Sequence, residues 1–275
     1  MVCYRHPDRP TGLQCTRCGR SACPECLRPA AVGQHCLDCV GAAAARTPRV
    51  QQLGARRPLA TYVIIAINLV VFAITAIQAR TGGNLNPNDS RVFYDGVLFG
   101  PLVHDGEYWR LFTSGFLHFS VIHVGLNMFT LYILGRDLER ALGTARYVGV
   151  YVASLLGGSA AVLLFSPNSA TAGASGAIYG VLGGLLIVVL RAKIPPGGII
   201  GTIVINLVIT VTIPGISLWA HLGGLAFGAA ATAGIVVLPS LLLSSDKRRA
   251  PSVNTIGWIA VGLLIVLALG LAVLS

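Results

Sequence analysis

A chain of 275 residues with a mean hydropathy of +0.74 and only 11% charged residues is excluded from the soluble globular class and reads as an all-α polytopic membrane protein. Its net charge of +10 is dealt out among segments between apolar runs, which marks a topology signal and excludes nucleic acid as a partner. All seven cysteines fall between Cys3 and Cys39, so two modules are joined: a polar, cysteine-rich stretch (1–40) and an apolar remainder (59–275), with a basic linker (41–58) between them.

The first module sets out its cysteines and one histidine in pairs with two residues between partners: Cys3/His6, Cys15/Cys18, Cys23/Cys26 and Cys36/Cys39. A pair at this spacing lets one turn present two ligands to one ion, and the four pairs together fill two tetrahedral zinc sites. His35 is an alternative to Cys36, and both consecutive and interleaved association of the pairs remain open. Four protein ligands leave no open coordination position, so both zinc ions are expected to be structural, in a module that binds a protein partner or regulates. The odd cysteine count opposes disulfides. The N-terminus has no apolar stretch before a cleavage site, so no signal peptide is expected. The linker, with Arg46, Pro48, Arg49, Arg56 and Arg57, reads as a juxtamembrane basic patch.

Seven apolar runs follow, at 59–79, 117–134, 147–165, 175–190, 199–213, 218–243 and 253–274. The first is long enough, at about 1.5 Å per residue, to cross a hydrocarbon core of about 30 Å. Positive charges sort the loops. Nine Lys and Arg precede the first run; Arg136, Arg140 and Arg146, then Arg191 and Lys193, then Lys247, Arg248 and Arg249 fall on the same face, and the other face holds Arg80, Arg91 and Arg110. By the positive-inside rule the N-terminus is cytoplasmic and the C-terminus outside, in a multi-pass protein of the cell membrane. A reducing compartment around the first module again favours metal over disulfide. The first outer loop carries Phe93, Tyr94, Phe99, Tyr108 and Trp109, aromatics that suit a loop lying partly in the interface.

The apolar remainder has four histidines. His104 belongs to the outer loop. His118, His123 and His221 sit at the outer ends of the second and sixth runs, on the side where the fourth run opens with Gly173-Ala174-Ser175-Gly176. Polar groups at membrane depth are costly, so their convergence points to function. With Arg191 at the inner interface, Ser175 lies about 24 Å above it, recessed below the outer surface; counted from Arg136, His123 comes out at about 20 Å and Asn127 at about 14 Å. His221 suits a base for the Ser175 hydroxyl, and His123, Asn127 and the amides near Ser175, at a helix N-terminus, suit an oxyanion. Every Asp and Glu lies outside the runs as drawn, so a Ser–His dyad is expected, with Tyr179 one turn below Ser175 packing on the imidazole. Gly180/Gly184 and Gly224/Gly228 are small-residue pairs of the kind that brings helices close. Pro239 is expected to bend or end the sixth helix. A transporter with a histidine proton relay, or a binder of membrane proteins without chemistry, are the alternatives.

These residues resemble the rhomboid intramembrane serine proteases. The matching features are Trp109-Arg110, then His118, His123 and Asn127, Glu139, Gly173-x-Ser175-Gly176 with Tyr179 and Gly180, and Ala220-His221-x2-Gly224-x3-Gly228. The resemblance covers roughly 59–238 and implies a rhomboid-like bundle in its six-plus-one form, seven helices in all, that cleaves transmembrane proteins. It implies Ser175 as nucleophile, His221 as general base, His123, Asn127 and the Ser175 amide as the oxyanion site, and structural roles for Trp109, Arg110 and Glu139, with Arg110 in reach of lipid headgroups. The first module lies outside this core and is similar to B-box-like cross-braced fingers, which implies joining the first pair with the third and the second with the fourth. The fifth run, with Gly197, Gly198 and Gly201 at one end and Pro214 at the other, is the expected substrate gate.

Overall fold

The computed structural model describes residues 1–30, 32–46, 57–81, 86–243 and 250–275. Most of the basic linker, including Pro48, Arg49 and Arg56, and the cluster Lys247, Arg248 and Arg249 lie outside the described residues. The chain divides into two compact units, Met1–Leu53 and Gly54–Ser275.

In the first unit a short antiparallel pair, β1 (Leu27–Pro29) and β2 (Gln34–Cys36), sets Leu27 opposite Cys36 and Arg28 opposite His35, and leads into helix α1 (Leu37–Arg46). Its buried cluster is Cys3, Cys15, Ala22, Cys23, Cys26, Leu27 and Cys36. A core made mostly of thiols is too small to hold so short a chain by apolar burial, which is the situation in which a metal supplies the cohesion.

The second unit is helical: α2 (Leu59–Thr81), α3 (Arg91–Gly96), α4 (Gly100–His104), α5 (Arg110–Thr113), α6 (Val121–Thr130), α7 (Arg136–Leu142), α8 (Thr144–Phe165), α9 (Ser175–Arg191), α10 (Gly197–Thr212), α11 (Leu218–Val236), α12 (Leu238–Leu242) and α13 (Ala250–Leu274). Four helices are long and apolar enough to cross a membrane, Leu59–Arg80, Thr144–Phe165, Leu218–Val236 and Pro251–Leu274. A fifth crossing is the bent pair Arg110–Phe116 and Val121–Leu142, and α9 and α10 are shorter apolar helices. These are the seven apolar runs of the sequence, in a multi-pass membrane protein.

Two features depart from the linear reading, and a third, the break of the sixth run at Pro239, follows it. Ser120 is extended, and its hydroxyl accepts the His123 amide at 3.2 Å, so α6 starts only at Val121 and the preceding segment meets it at 91°. His118 therefore lies before the helix and not on it. At the other end α6 runs on through a π-turn, Leu131–Gly135, into α7, which carries Glu139 inward. That carboxylate, 2% exposed, accepts the amides of Ala60 (3.0 Å) and Thr61 (2.8 Å) and the hydroxyls of Thr61 (2.7 Å) and Thr144 (2.8 Å). It thus caps the positive end of α2, so one acidic group is buried after all. The sixth run breaks at Val237, ahead of Pro239, into α11 and α12.

The loop between α2 and α6 is built and not merely interfacial. Tyr94, Tyr108 and Trp109 are exposed as expected, whereas Phe93 is buried. Arg110 is 2% exposed; its guanidinium binds Glu107 and donates to the carbonyls of Tyr94 (2.7 Å) and Val97 (2.8 Å). A guanidinium buried and bonded to the protein in this way is not open to a lipid headgroup, so that expectation is corrected. The fold instead uses Arg110 to fasten the loop whose next residue, Leu98, pairs through its amide and carbonyl with Thr171 (3.0 and 2.9 Å).

The centre of the unit is α9, packed most extensively against α11 and then α8. Glycines set this closeness. A Cβ at Gly224 would overlap the Gly176 carbonyl, and one at Gly158 would lie 2.8 Å from the Ala220 oxygen. In lipid, where apolar side chains gain little by leaving the solvent, such backbone contact is what holds helices together.

Candidate active site and metal clusters

The strand between α8 and α9 arrives at Ser175 under control of its neighbours: Thr171 pairs with Leu98, and the Gly173 amide donates to the Ser114 carbonyl at 2.9 Å. Gly173 has φ +136, and a Cβ there would lie 2.8 Å from Cε1 and 2.9 Å from Nε2 of His123. Both the backbone angle and the close ring therefore require glycine. Ser175 follows as the first residue of α9, where the first-turn amides have no intrahelical partner.

His221 comes from the first turn of α11, whose start is fixed by the Ser217 hydroxyl accepting the Ala220 amide at 3.2 Å. The close approach of α9 and α11 brings His221 Nε2 to 2.8 Å from Ser175 Oγ. Tyr179, one turn into α9, stacks on the imidazole with ring centroids 3.9 Å apart and planes 14° from parallel. His221 and Tyr179 are buried, and Ser175 is half-buried.

His123 approaches from α6. Its Nδ1 accepts the Phe119 amide at 3.4 Å, which leaves Nε2 to carry the hydrogen on the side facing Gly173 and Ser175. Asn127, one turn on, donates to the His123 carbonyl at 3.0 Å. His118 is fully buried and packs edge-on against His123 at 4.9 Å, a support for the ring and not a member of the contact set. His104 is exposed at the end of α4. Trp109 is also remote; its indole N–H donates to the Asp95 carbonyl at 2.9 Å and braces the loop. A cavity of about 650 Å³ lies over the serine, lined by His123, Asn127, Ser175, Tyr179 and His221 and closed by residues of α10 and of the turn from Pro214 to Ser217.

One residue at this site carries no mark in the linear reading. Thr210, from α10 and 3% exposed, places its Oγ1 at 2.7 Å from His221 Nδ1 and 2.9 Å from the Tyr179 hydroxyl. The signal for it is Thr202, Asn206 and Thr210 recurring one turn apart along a mostly apolar run.

The first unit gathers its eight paired residues into two clusters, Cys3, His6, Cys23 and Cys26, and Cys15, Cys18, Cys36 and Cys39, with ligand atoms within 4.8 Å of one another in each. The first pair thus joins the third and the second joins the fourth, and Cys36, not His35, points inward. His6 Nδ1 stands 3.8, 3.5 and 3.4 Å from the sulfurs of Cys3, Cys23 and Cys26, and Cys18 and Cys36 sulfurs are 3.7 Å apart. A tetrahedron built on zinc–sulfur and zinc–nitrogen bonds has edges of about 3.8 and 3.5 Å, so the donor sets fit such an ion. None of the seven cysteines is in a disulfide. Burial alone would raise the Cys3 thiol, but the amides of Cys23 and Arg5 and the His6 ring bring it down to about 6. Burial and then the adjacent Cys23 and Cys3 thiols push Cys26 up to about 11. Thiols this close resist full ionisation together unless a cation lies among them.

Residues 105–239 match the Rhomboid domain family model. The chain is 37% identical over 186 residues to the rhomboid protease GluP of Bacillus subtilis (strain 168), a match covering 65% of this chain and 36% of that protein. It is 36% identical over 152 residues to RHOMBOID-like protein 6, mitochondrial, of Arabidopsis thaliana, covering 52% of this chain and 49% of that protein. With Rhomboid-like protease 1 of Toxoplasma gondii it shares 33% over 124 residues, covering 44% and 42%. The chain thus spans roughly a third to a half of the length of these relatives. The family match runs from the end of α4 into α12, across every element that carries the Ser175 site, so residues 105–239 of this chain form a Rhomboid domain.

Proposed function

We propose that the chain is an intramembrane serine endopeptidase that cleaves transmembrane proteins with Ser175 and His221, recessed below the outer membrane surface. The observation that carries this reading is the 2.8 Å contact between His221 Nε2 and Ser175 Oγ at the floor of a cavity walled by apolar helices. Ser175 Oγ attacks the scissile carbonyl carbon as its proton passes to His221 Nε2. The tetrahedral oxyanion is held by the His123 Nε2–H, the Asn127 amide and the Ser175 N–H. Collapse breaks the C–N bond, His221 returns the proton to the leaving amine, and water, deprotonated in turn by His221, releases the acyl group. Substrate helices enter beside α10, whose sparse packing supports its role as the gate.

The N-terminus is cytoplasmic, the C-terminus and the cavity mouth face outside, and residues 1–40 hold two structural zinc ions and dock a protein partner. These assignments rest on the loop charges and on the two donor sets.

Purified protein in detergent is expected to label at Ser175 with a fluorophosphonate and to cleave transmembrane substrates, with Ser175→Ala and His221→Ala inactive in both assays. Cleavage that survives Ser175→Ala would sink the reading. Elemental analysis of the same preparation should give about two zinc ions per chain, lost with a Cys15→Ser, Cys36→Ser double variant to about one.

A further inference from the structure

A histidine base needs a group behind it that fixes its tautomer and receives the charge it acquires, and in serine hydrolases that group is commonly a carboxylate. Here the group at His221 Nδ1 is the Thr210 hydroxyl, at 2.7 Å. The proton count at Thr210 is closed. Its hydroxyl donates to the Asn206 carbonyl one turn back at 2.8 Å, a group that only accepts. Its two lone pairs are then met by the Tyr179 hydroxyl at 2.9 Å and by His221 Nδ1, and both must donate. Nδ1 therefore carries the hydrogen and Nε2 presents its lone pair to Ser175 Oγ, the arrangement a base requires. When Nε2 takes the serine proton, the Nδ1–H bond to Thr210 becomes charge-assisted and strengthens.

Thr210 and Ile203 are the only buried residues of α10, which otherwise touches the rest of the unit sparsely. We propose that Thr210 is the positioning residue of the His221 base and that, because it rides on α10, the base is fully set only while that helix is seated. This rests on the protease reading and names a residue through which substrate entry and proton transfer are linked: an α10 displaced to admit a helix takes the Nδ1 partner with it, and reseating restores the base.

The test uses the full chain in detergent with a fluorogenic transmembrane peptide, and the variants Thr210→Val and Thr210→Ser. Loss of a hydrogen bond that is strongest in the transition state is expected to lower kcat roughly ten- to hundredfold with KM within about twofold, and serine is expected to restore most of it. Nitrogen NMR of labelled histidine, with the His221 signal assigned by its absence in His221→Ala, should show the Nδ1–H form in the native protein and in Thr210→Ser and a mixture of tautomers in Thr210→Val. A Thr210→Val protein with native kcat, or one whose His221 tautomer is unchanged, overturns the inference. Native protein that neither labels at Ser175 nor cleaves overturns the protease reading instead, so the two failures are told apart.

Discussion

Helices α9 and α10 follow one another in sequence and are both short and apolar, yet they are held in opposite ways. Every residue of α9 from Gly176 to Leu185 is buried, against α11 and α8, through glycines that let backbones touch. Helix α10 buries Ile203 and Thr210 and exposes Val204, Ile205, Val208, Ile209 and Val211. The seam carries the pair whose separation must hold to a few tenths of an ångström. The loose helix carries the hydroxyl that completes the base. In the proposed reading, the atoms that react are placed by backbone contact, which is stiff, and the helix assigned as the gate is left on side-chain contact, which yields.

The seam is broken most directly at Gly224. A valine there would drive its Cβ into the Gly176 carbonyl, and neither helix can relieve the overlap by turning a side chain. Prising α9 from α11 separates Ser175 from His221, so cleavage is expected to fall by about a hundredfold or more and fluorophosphonate labelling with it. The overpacking itself is expected to cost about 1–3 kcal/mol, visible as earlier thermal unfolding in detergent. Native labelling in Gly224→Val would show that the seam is pliable and would end the contrast with α10.

A matched pair sharpens the comparison. Adding one methyl in the seam, Gly183→Ala, places a Cβ 2.5 Å from the Leu225 carbonyl and 3.1 Å from the Ala229 amide. Removing a much larger group from α10, Ile203→Ala, leaves a gap that lipid or detergent can fill. We expect the small insertion to cost more, about 2 kcal/mol, and the large deletion less, about 1 kcal/mol. Unfolding temperatures of the two variants in one detergent decide it; the reverse order would mean that α10 is as firmly held as α9.

The seven apolar runs were legible because a helix in lipid must satisfy its own backbone, so each leaves a self-contained apolar stretch. Ser175, His123, Asn127 and His221 were legible because polar groups are rare at that depth. What was hidden depends on partners distant in sequence. Glu139 reads as an inner-face charge until α7 folds it under the start of α2. Arg110 reads as a structural residue within reach of lipid until the carbonyls of Tyr94 and Val97 turn it inward. In the first unit the four pairs announce metal, but which pair meets which is fixed by chain reversal through β1 and β2; residue order alone leaves it open. Thr210 was missed for a different reason: the third group behind the histidine was sought among carboxylates, and a threonine in the β-branched run Ile209-Thr210-Val211-Thr212 has no compositional weight.

The smallest expected effect comes from the bond that joins the two regions. Tyr179, on α9, donates its hydroxyl to Thr210, on α10, while its ring stacks on His221. Phenylalanine keeps the ring and removes the tie. Thr210 then retains its bond to the Asn206 carbonyl and its free lone pair for His221 Nδ1, so the tautomer of the base is preserved and only the hold on α10 is weakened. One neutral hydrogen bond contributes about 0.5–1.5 kcal/mol, so kcat of Tyr179→Phe is expected to fall about two- to tenfold, less than in Thr210→Val, with little change in unfolding temperature. Steady-state cleavage by Tyr179→Phe, Thr210→Val and the double variant gives the coupling. If the tie acts only through Thr210, the double variant will be no slower than Thr210→Val, because the loss of Thr210 already removes everything the tyrosine hydroxyl held. Losses that simply multiply would assign the hydroxyl an action of its own at the seam and separate Tyr179 from the α10 side of the site.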